Sequence, residues 1–335
     1  MKACIVGAGA IGGSIGFGLA RAGCEVSCIA RGQTLAAMRE KGLRFTDGGP
    51  VEAVSINAVE AAGKLDVQDL VVLAVKAPAL TEVAPLIAPL LGPDTIVLPA
   101  MNGVPWWFFQ GFGGRLAGTS LEPIDPRGII ASNIPPAAII GCVVHFGASC
   151  PEPGLVKALS KRTLIIGEPS GKITERLNAL GEILRKSGYT AQLTDSIQRE
   201  VWYKLWGNMT MNPLSTLTGA TMDKILDDPL VNQLCREVMA EAKSVGAKIG
   251  CPIEQSVDDR IAISRTLGAF KTSMLQDLEA GRPLELDAIL TSVVEIGKLV
   301  GERTPYINTV LGLTRLKART IGLYPQASPQ EWKIR

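Results

Sequence analysis

The sequence is poor in the residues that build several common functional sites. A single histidine, His145, excludes metal sites made of several imidazoles, including a pair four apart on a helix. The seven cysteines (4, 24, 28, 142, 150, 235 and 251) are odd in number and hold no C-x-x-C pair. That argues against a disulfide framework and reads as reduced, partly buried thiols. No apolar run reaches the about 18 residues of a membrane-crossing helix. Basic residues come in no block of five or more, and 34 of them against 32 acidic give a net charge of +2. Neither nucleic acid nor a membrane surface finds a general electrostatic footprint there. Met1-Lys2 and the small apolar stretch after it imitate a secretory signal. The glycines instead fall at turn spacing and no A-x-A site follows, so a cytoplasmic location is expected. What remains is an ordinary globular composition, 47% apolar and 20% charged over 335 residues. At about 150 residues per domain this suggests two domains.

The first thirty residues read as a nucleotide-binding unit. Ala3 to Val6 suits a buried parallel strand, and Gly7-Ala8-Gly9-Ala10-Ile11-Gly12 follows at once. Ile11, Ile15 and Leu19 then repeat at helical spacing, Gly23 closes the helix, and Glu25 to Ala30 returns as a second strand. Gly7 permits a tight turn, Gly9 lets backbone approach a pyrophosphate, and Gly12 lets helix and strand pack closely. Amides at the helix start can hold phosphate. Where an NAD site usually has an acid at the end of the second strand, this chain has Arg31. A guanidinium can pair a 2′-phosphate, so the expected cofactor is NADP(H).

Two further apolar strands, Leu70 to Val75 and Thr95 to Leu98, place Lys76 and Asn102 at their carboxyl ends, where ligands of open parallel sheets bind. Helices near 34–42 and 79–91 serve as crossovers, and the apolar runs 139–146 and 163–167 suggest an antiparallel hairpin. Trp106-Trp107-Phe108-Phe109 reads as a lid, a dimer contact or core, and His145 as a structural or edge-strand residue. From about 172 to 320 the pattern is helical, beginning with an amphipathic helix over 171–188. Residues 1–193 are expected to form the nucleotide-binding domain and 194–335 a helical domain. A helix opened by Thr194-Asp195 carries Lys204, Asn208 and Asn212 on one face, with Pro213 marking its expected end. Further on, Ser273 offers a hydroxyl, while Glu285 and Asp287 precede an apolar helix over 288–300 and read on pattern alone as first-turn acids. The last twelve residues, with Pro325 and Pro329, read as a tail.

Taken together, Gly7-x-Gly9-x-x-Gly12, Arg31, Val75-Lys76-Ala77, Asn102-Gly103, the string Lys204-x-x-x-Asn208-x-x-x-Asn212-Pro213-Leu214, and Ser273-Met274-Leu275-Gln276-Asp277 followed by Glu285 resemble the ketopantoate reductase (2-dehydropantoate 2-reductase) family over nearly the whole chain. The resemblance implies an α/β Rossmann-type dinucleotide-binding domain followed by an all-helical domain like the C-terminal domain of 6-phosphogluconate dehydrogenases. It implies NADPH-dependent reduction of ketopantoate to (R)-pantoate, a step toward pantothenate and coenzyme A. A homodimer is the assembly to test for. Lys204 then matches the catalytic general acid and Glu285 its catalytic partner in organising the site. Gly7, Ala8, Gly9, Ala10, Ile11, Gly12, Arg31, Lys76 and Asn102 match cofactor contacts. Asn102, Asn208, Asn212 and Ser273 match positions that hold the 2-oxo acid substrate, and no metal is implied. The chain departs from the family pattern at Val104 to Phe109 and near Thr221-Met222, where a family asparagine is replaced. The alternatives are a related reductase of another 2-oxo or 3-hydroxy acid and a non-catalytic NADP(H) sensor.

Overall fold

The computed structural model describes residues 1–158 and 161–326. They fall into two compact units, Met1–Glu200 and the segment from Val201 onward.

The first unit is built on three sheets. Strands β1 (Lys2–Val6), β2 (Glu25–Ile29), β5 (Asn57–Val59), β6 (Leu70–Leu73) and β7 (Ile96–Pro99) form a five-stranded parallel sheet in the order β5-β2-β1-β6-β7. Its central strands are apolar on both faces, as a sheet covered on both sides requires. Ala3, Cys4, Ile5 and Leu70 to Leu73 are fully buried. Burial pushes the thiols of Cys4 and Cys28 up to about 12. They act as small apolar groups there. Helices α1 (Ala10–Arg21), α2 (Gly32–Lys41) and α3 (Leu80–Ile87) make the crossovers.

Strands β3 (Leu43–Thr46), β4 (Glu52–Val54), β9 (Ala148–Glu152) and β10 (Leu155–Ala158) form a second sheet, ordered β4-β3-β10-β9. The third holds β12 (Thr190–Leu193), β11 (Thr163–Gly167) and β8 (Gly141–His145). The runs at 139–146 and 163–167 therefore do pair antiparallel, β8 with β11. They are not a hairpin, because β9 and β10 intervene and join the second sheet, β10 pairing with β3 and β9 with β10. His145 ends an edge strand and is exposed.

Helix α4 (Ile129–Asn133) and helix α5 (Glu175–Lys186) complete this unit. The helix expected over 171–188 starts only at Glu175, where Thr174 accepts a hydrogen bond from Leu177 N as its cap. Strand β12 also interrupts what the sequence pattern reads as almost wholly helical. The Trp106–Phe109 stretch is core: all four rings are at most 5% exposed. A Cβ on Gly141 would lie 2.5 Å from the Trp107 ring, so strand and indole meet at that glycine.

The second unit is helical. It contains most of α6 (Ile197–Thr218), then α7 (Met222–Asp227), α8 (Pro229–Lys248), α9 (Val257–Arg265), α10 (Ser273–Glu279), α11 (Ser292–Leu299) and α12 (Pro305–Thr320). A π-helical turn, Asp287–Thr291, leads into α11 and takes the place of the first part of the single helix expected over 288–300. Two expectations about α6 need correction. It starts at Ile197, since Thr194 Oγ1 accepts from Ser196 N and forms a turn ahead of the helix. It also runs through Pro213 to Thr218 rather than ending at Asn212. Proline costs the helix one amide donor. Burial of Met209, Met211, Leu214 and Ser215 around it holds the helix together regardless. Of the C-terminal tail, Pro325 lies inside the described residues and Pro329 outside them.

Candidate active site

In the first unit the expected cofactor residues share the carboxyl edge of the parallel sheet. Gly7 to Gly12 leave β1, Arg31 follows β2, Lys76 follows β6 and Asn102 follows β7. The loop geometry explains each glycine. Gly7 has φ +93°, and a Cβ there would stand 2.7 Å from the Ala74 carbonyl oxygen. At Gly12 a Cβ would meet the Gly7 carbonyl at 2.2 Å and Ala74 Cβ at 2.9 Å, so helix and strand touch through it. Gly9 differs, for a Cβ there meets nothing within 4 Å. It caps α1 in an extended conformation, with no side-chain cap and no acid in the first turn. Ala10, Ile11 and Gly12 therefore present a helix N-terminus that no carboxylate of the first turn neutralises, beside open space at Gly9. That fits a dinucleotide pyrophosphate. Ala8 is half-buried, and Arg31, at the N-cap of α2, is exposed.

In the second unit Lys204, Asn208 and Asn212 stand four residues apart along α6, amid buried Trp202, Trp206, Met209 and Leu214. Trp206 Nε1 donates to Met239 O at 2.9 Å and Trp202 Nε1 to Ala242 O at 3.2 Å, pinning α6 to α8. Lys204 and Asn208 are half-buried, and Asn212 is 5% exposed. Among the described residues, Asn212 Nδ2 is buried without a hydrogen-bond partner. An unpaired buried amide is costly and calls for a ligand or water. One turn further, Thr216 is fully buried and its hydroxyl also lacks a partner among the described residues. Sequence reading missed Thr216 because Pro213 was expected to end the helix; the four-residue spacing alone would have found it.

Glu285 is 7% exposed and lies two residues before the π-helical turn, to which its carbonyl is joined by Ile289 N at 3.2 Å. It is therefore not a solvated first-turn acid. Ser273 opens α10 and is exposed, while Thr272 caps that helix by accepting from Leu275 N. Asp277, buried, accepts from Arg282 Nε at 2.8 Å. No group of three metal-binding side chains occurs among the described residues, and no helix there is long and apolar enough to cross a membrane.

A parallel sheet with a glycine loop at its carboxyl edge, followed by a helical unit displaying lysine, amides and a buried acid, defines a dinucleotide-binding oxidoreductase. Comparison with known proteins sharpens this. Residues 3–171 match the family described as Ketopantoate reductase PanE/ApbA, and residues 196–318 match its C-terminal counterpart. A 2-dehydropantoate 2-reductase of Mesorhizobium japonicum is 44% identical over 325 residues, covering 97% of this chain and 100% of the relative. A solved structure of a candidate ketopantoate reductase from Ralstonia solanacearum MolK2 superposes with a TM-score of 0.93 at 53% identity, over 96% of this chain and 99% of the other. A D-mandelate dehydrogenase solved with NADH superposes at 0.78 with 25% identity, over 96% of this chain and all of the other. The chain belongs to the ketopantoate reductase family.

Proposed function

We propose that this enzyme reduces the ketone of a 2-oxo acid, 2-dehydropantoate foremost, to the 2-hydroxy acid (R)-pantoate, using NADPH. The observation that carries the reading is the polar stripe of α6, with its unpaired Asn212 amide, in a chain that matches the family across both units. The dinucleotide, when bound, supplies a hydride to the carbonyl carbon. The chain's own residues do the rest. Gly7 to Gly12 and the α1 N-terminus hold the pyrophosphate, Arg31 pairs the 2′-phosphate, and Lys76 and Asn102 complete the cofactor edge. Lys204 donates a proton to the carbonyl oxygen as negative charge develops on it, the point at which an ammonium lowers the barrier most. Asn208, Asn212 and Ser273 hold the substrate's oxygens, Asn102 contacts substrate as well as cofactor, and Glu285 organises the site. In functional terms residues 1–193 hold the cofactor, and 194–335 supply the proton donor and the substrate contacts other than Asn102. The same reading assigns the enzyme to the cytoplasm and makes it a homodimer, which light scattering measures.

The test follows NADPH absorbance against a panel of 2-oxo acids. The expected outcome is the highest kcat/KM on 2-dehydropantoate. A higher value on another 2-oxo acid overturns the substrate, and tight NADPH binding with no turnover on any of them overturns the enzyme in favour of a sensor. Arg31→Asp is expected to erase or invert the NADPH preference with folding intact. Equal use of NADH by the unaltered protein would sink the role of Arg31.

A further inference from the structure

The turn that follows α12, residues 321–326, folds back on that helix. Leu323 N donates to Ala318 O at 2.8 Å, and Arg319 Nε donates to Pro325 O at 2.8 Å. The Arg319 guanidinium lies 5.5 Å from the centre of the Tyr324 ring. Two hydrogen bonds run from this turn to the stretch that carries Glu285. Leu284 N donates to Leu323 O at 3.1 Å, and Tyr324 Oη donates to Asp287 Oδ1 at 2.6 Å. Helix α12 also holds α6, since Lys317 Nζ donates to the carbonyls of Thr216 and Leu217 at 2.7 and 2.9 Å. One helix and its terminal turn therefore grip both the Lys204 helix and the Glu285 segment. What they grip at Asp287 is a π-helical turn, a geometry that isolated sequence does not favour and that its surroundings must impose.

We infer that Tyr324 is a positioning residue: its hydroxyl, through Asp287, fixes the π-helical turn and so sets where the Glu285 carboxylate stands relative to the 2-oxo acid. Burial first, and then the neighbouring Asp287 charge, push the Tyr324 phenol well above its ordinary range. The hydroxyl therefore stays protonated and stays a donor. The hydroxyl bonds Asp287, two residues along the chain from Glu285, so Tyr324 acts only through Asp287. This rests on the reading of Glu285 as a substrate-site residue.

The experiment compares Tyr324→Phe, Asp287→Ala, Asp287→Asn and the double variant Tyr324→Phe/Asp287→Ala. Tyr324→Phe is expected to raise KM for the best 2-oxo acid by about threefold to tenfold, the scale of one hydrogen bond, with KM for NADPH unchanged. Asp287→Asn keeps an acceptor oxygen and is expected to stay near the unaltered enzyme. The double variant should be no worse than either single one, because both remove the same bond. Amide exchange in Tyr324→Phe should quicken over residues 285–291 and nowhere else. An unchanged 2-oxo acid KM overturns the inference, as do both KM values rising together with a fall in Tm. If the unaltered protein turns over no 2-oxo acid, the proposed function fails on its own. Exchange then decides the positioning inference: quickening confined to 285–291 upholds it, and no change overturns it.

Discussion

Helices α1 and α6 are both buried along most of their length, yet they are made of opposite materials. In α1 the buried positions include Gly12, Gly13, Gly16 and Gly18, and the helix serves by what it lacks. Its missing side chains let backbone approach β1 and leave amides facing outward at the N-terminus. In α6 the buried positions include two tryptophans, two methionines and an unpaired asparagine, and the helix serves by the side chains it presents. Substitutions should separate accordingly: those in α1 act through space and binding, those in α6 through chemistry.

The largest effect expected is at Lys204. General acid catalysis is commonly worth about 100- to 10,000-fold, or roughly 3 to 5 kcal/mol of barrier. Lys204→Ala should lower kcat by about that factor while dinucleotide affinity, assigned above to the first unit, hardly moves. Lys204→Arg should not restore the rate, because a guanidinium with a pKa above about 12 gives up its proton poorly. A near-normal kcat in Lys204→Ala defeats the assignment, and so does simple unfolding.

The glycine loop supplies the matching test on the other side. Any side chain at Gly12 meets backbone at 2.2 Å, so Gly12→Val should cost about 3 kcal/mol of stability as well as dinucleotide binding. Gly9→Ala meets no atom within 4 Å and has an ordinary φ of −81°. It should leave Tm unchanged and still weaken dinucleotide binding, because the methyl enters the open space proposed for the pyrophosphate. If calorimetry finds the two variants equally stable, the division between packing and binding glycines is wrong.

The same contrast explains what could be read without coordinates. The glycine loop was legible because its requirements are local, a positive φ at Gly7 and a close approach at Gly12, and spacing encodes both. The Lys204, Asn208 and Asn212 stripe was legible because four-residue spacing is local too. What escaped depends on distant partners. The pairing of β3 with β10 joins residues more than a hundred positions apart, so the strands between β8 and β11 went unread. Pro213 carries a local signal to stop, and tertiary burial overrules it. The π-helical turn at Asp287 is bonded by Tyr324, from a turn that no window around Asp287 contains.

Buried polar groups extend the comparison to smaller effects. Glu168, 3% exposed in the first unit, is fully engaged: Arg176 Nη2 donates to it at 2.6 Å, Arg176 Nε at 2.7 Å and Thr174 Oγ1 at 2.6 Å. Burial alone would raise its pKa, but the Arg176 and Thr174 hydrogen bonds and the Arg176 charge outweigh it, and the net shift is downward. A depressed folded pKa means the pair stabilises above the unfolded carboxylate range and stops doing so as pH falls through the folded value. Arg176→Met, which keeps the stem, should cost about 2 kcal/mol at pH 7, a figure held down because the Arg176 side chain is 37% exposed. The difference from the unaltered protein should shrink as pH drops from 7 to below the ordinary carboxylate range, toward 3. Denaturant titrations with equal differences at both ends of that range would contradict this account.

Asn212 is the counterpart in the second unit, and a smaller stability effect than at Arg176 is expected there. Its amide Nδ2 is as buried as Glu168 but lacks a partner among the described residues, so the folded protein gains little from it. Replacing such a group by an apolar one of similar shape is close to neutral, because the loss of a hydrogen bond is not at stake while a desolvated donor is removed. Asn212→Leu should therefore change stability by less than about 1 kcal/mol in either direction, where Arg176→Met costs more. Its effect should appear with substrate instead, as a KM for the 2-oxo acid raised by about tenfold, the worth of one or two polar contacts. A large drop in Tm with an unaltered KM would assign Asn212 to the structure, and the two helices would then differ in composition only.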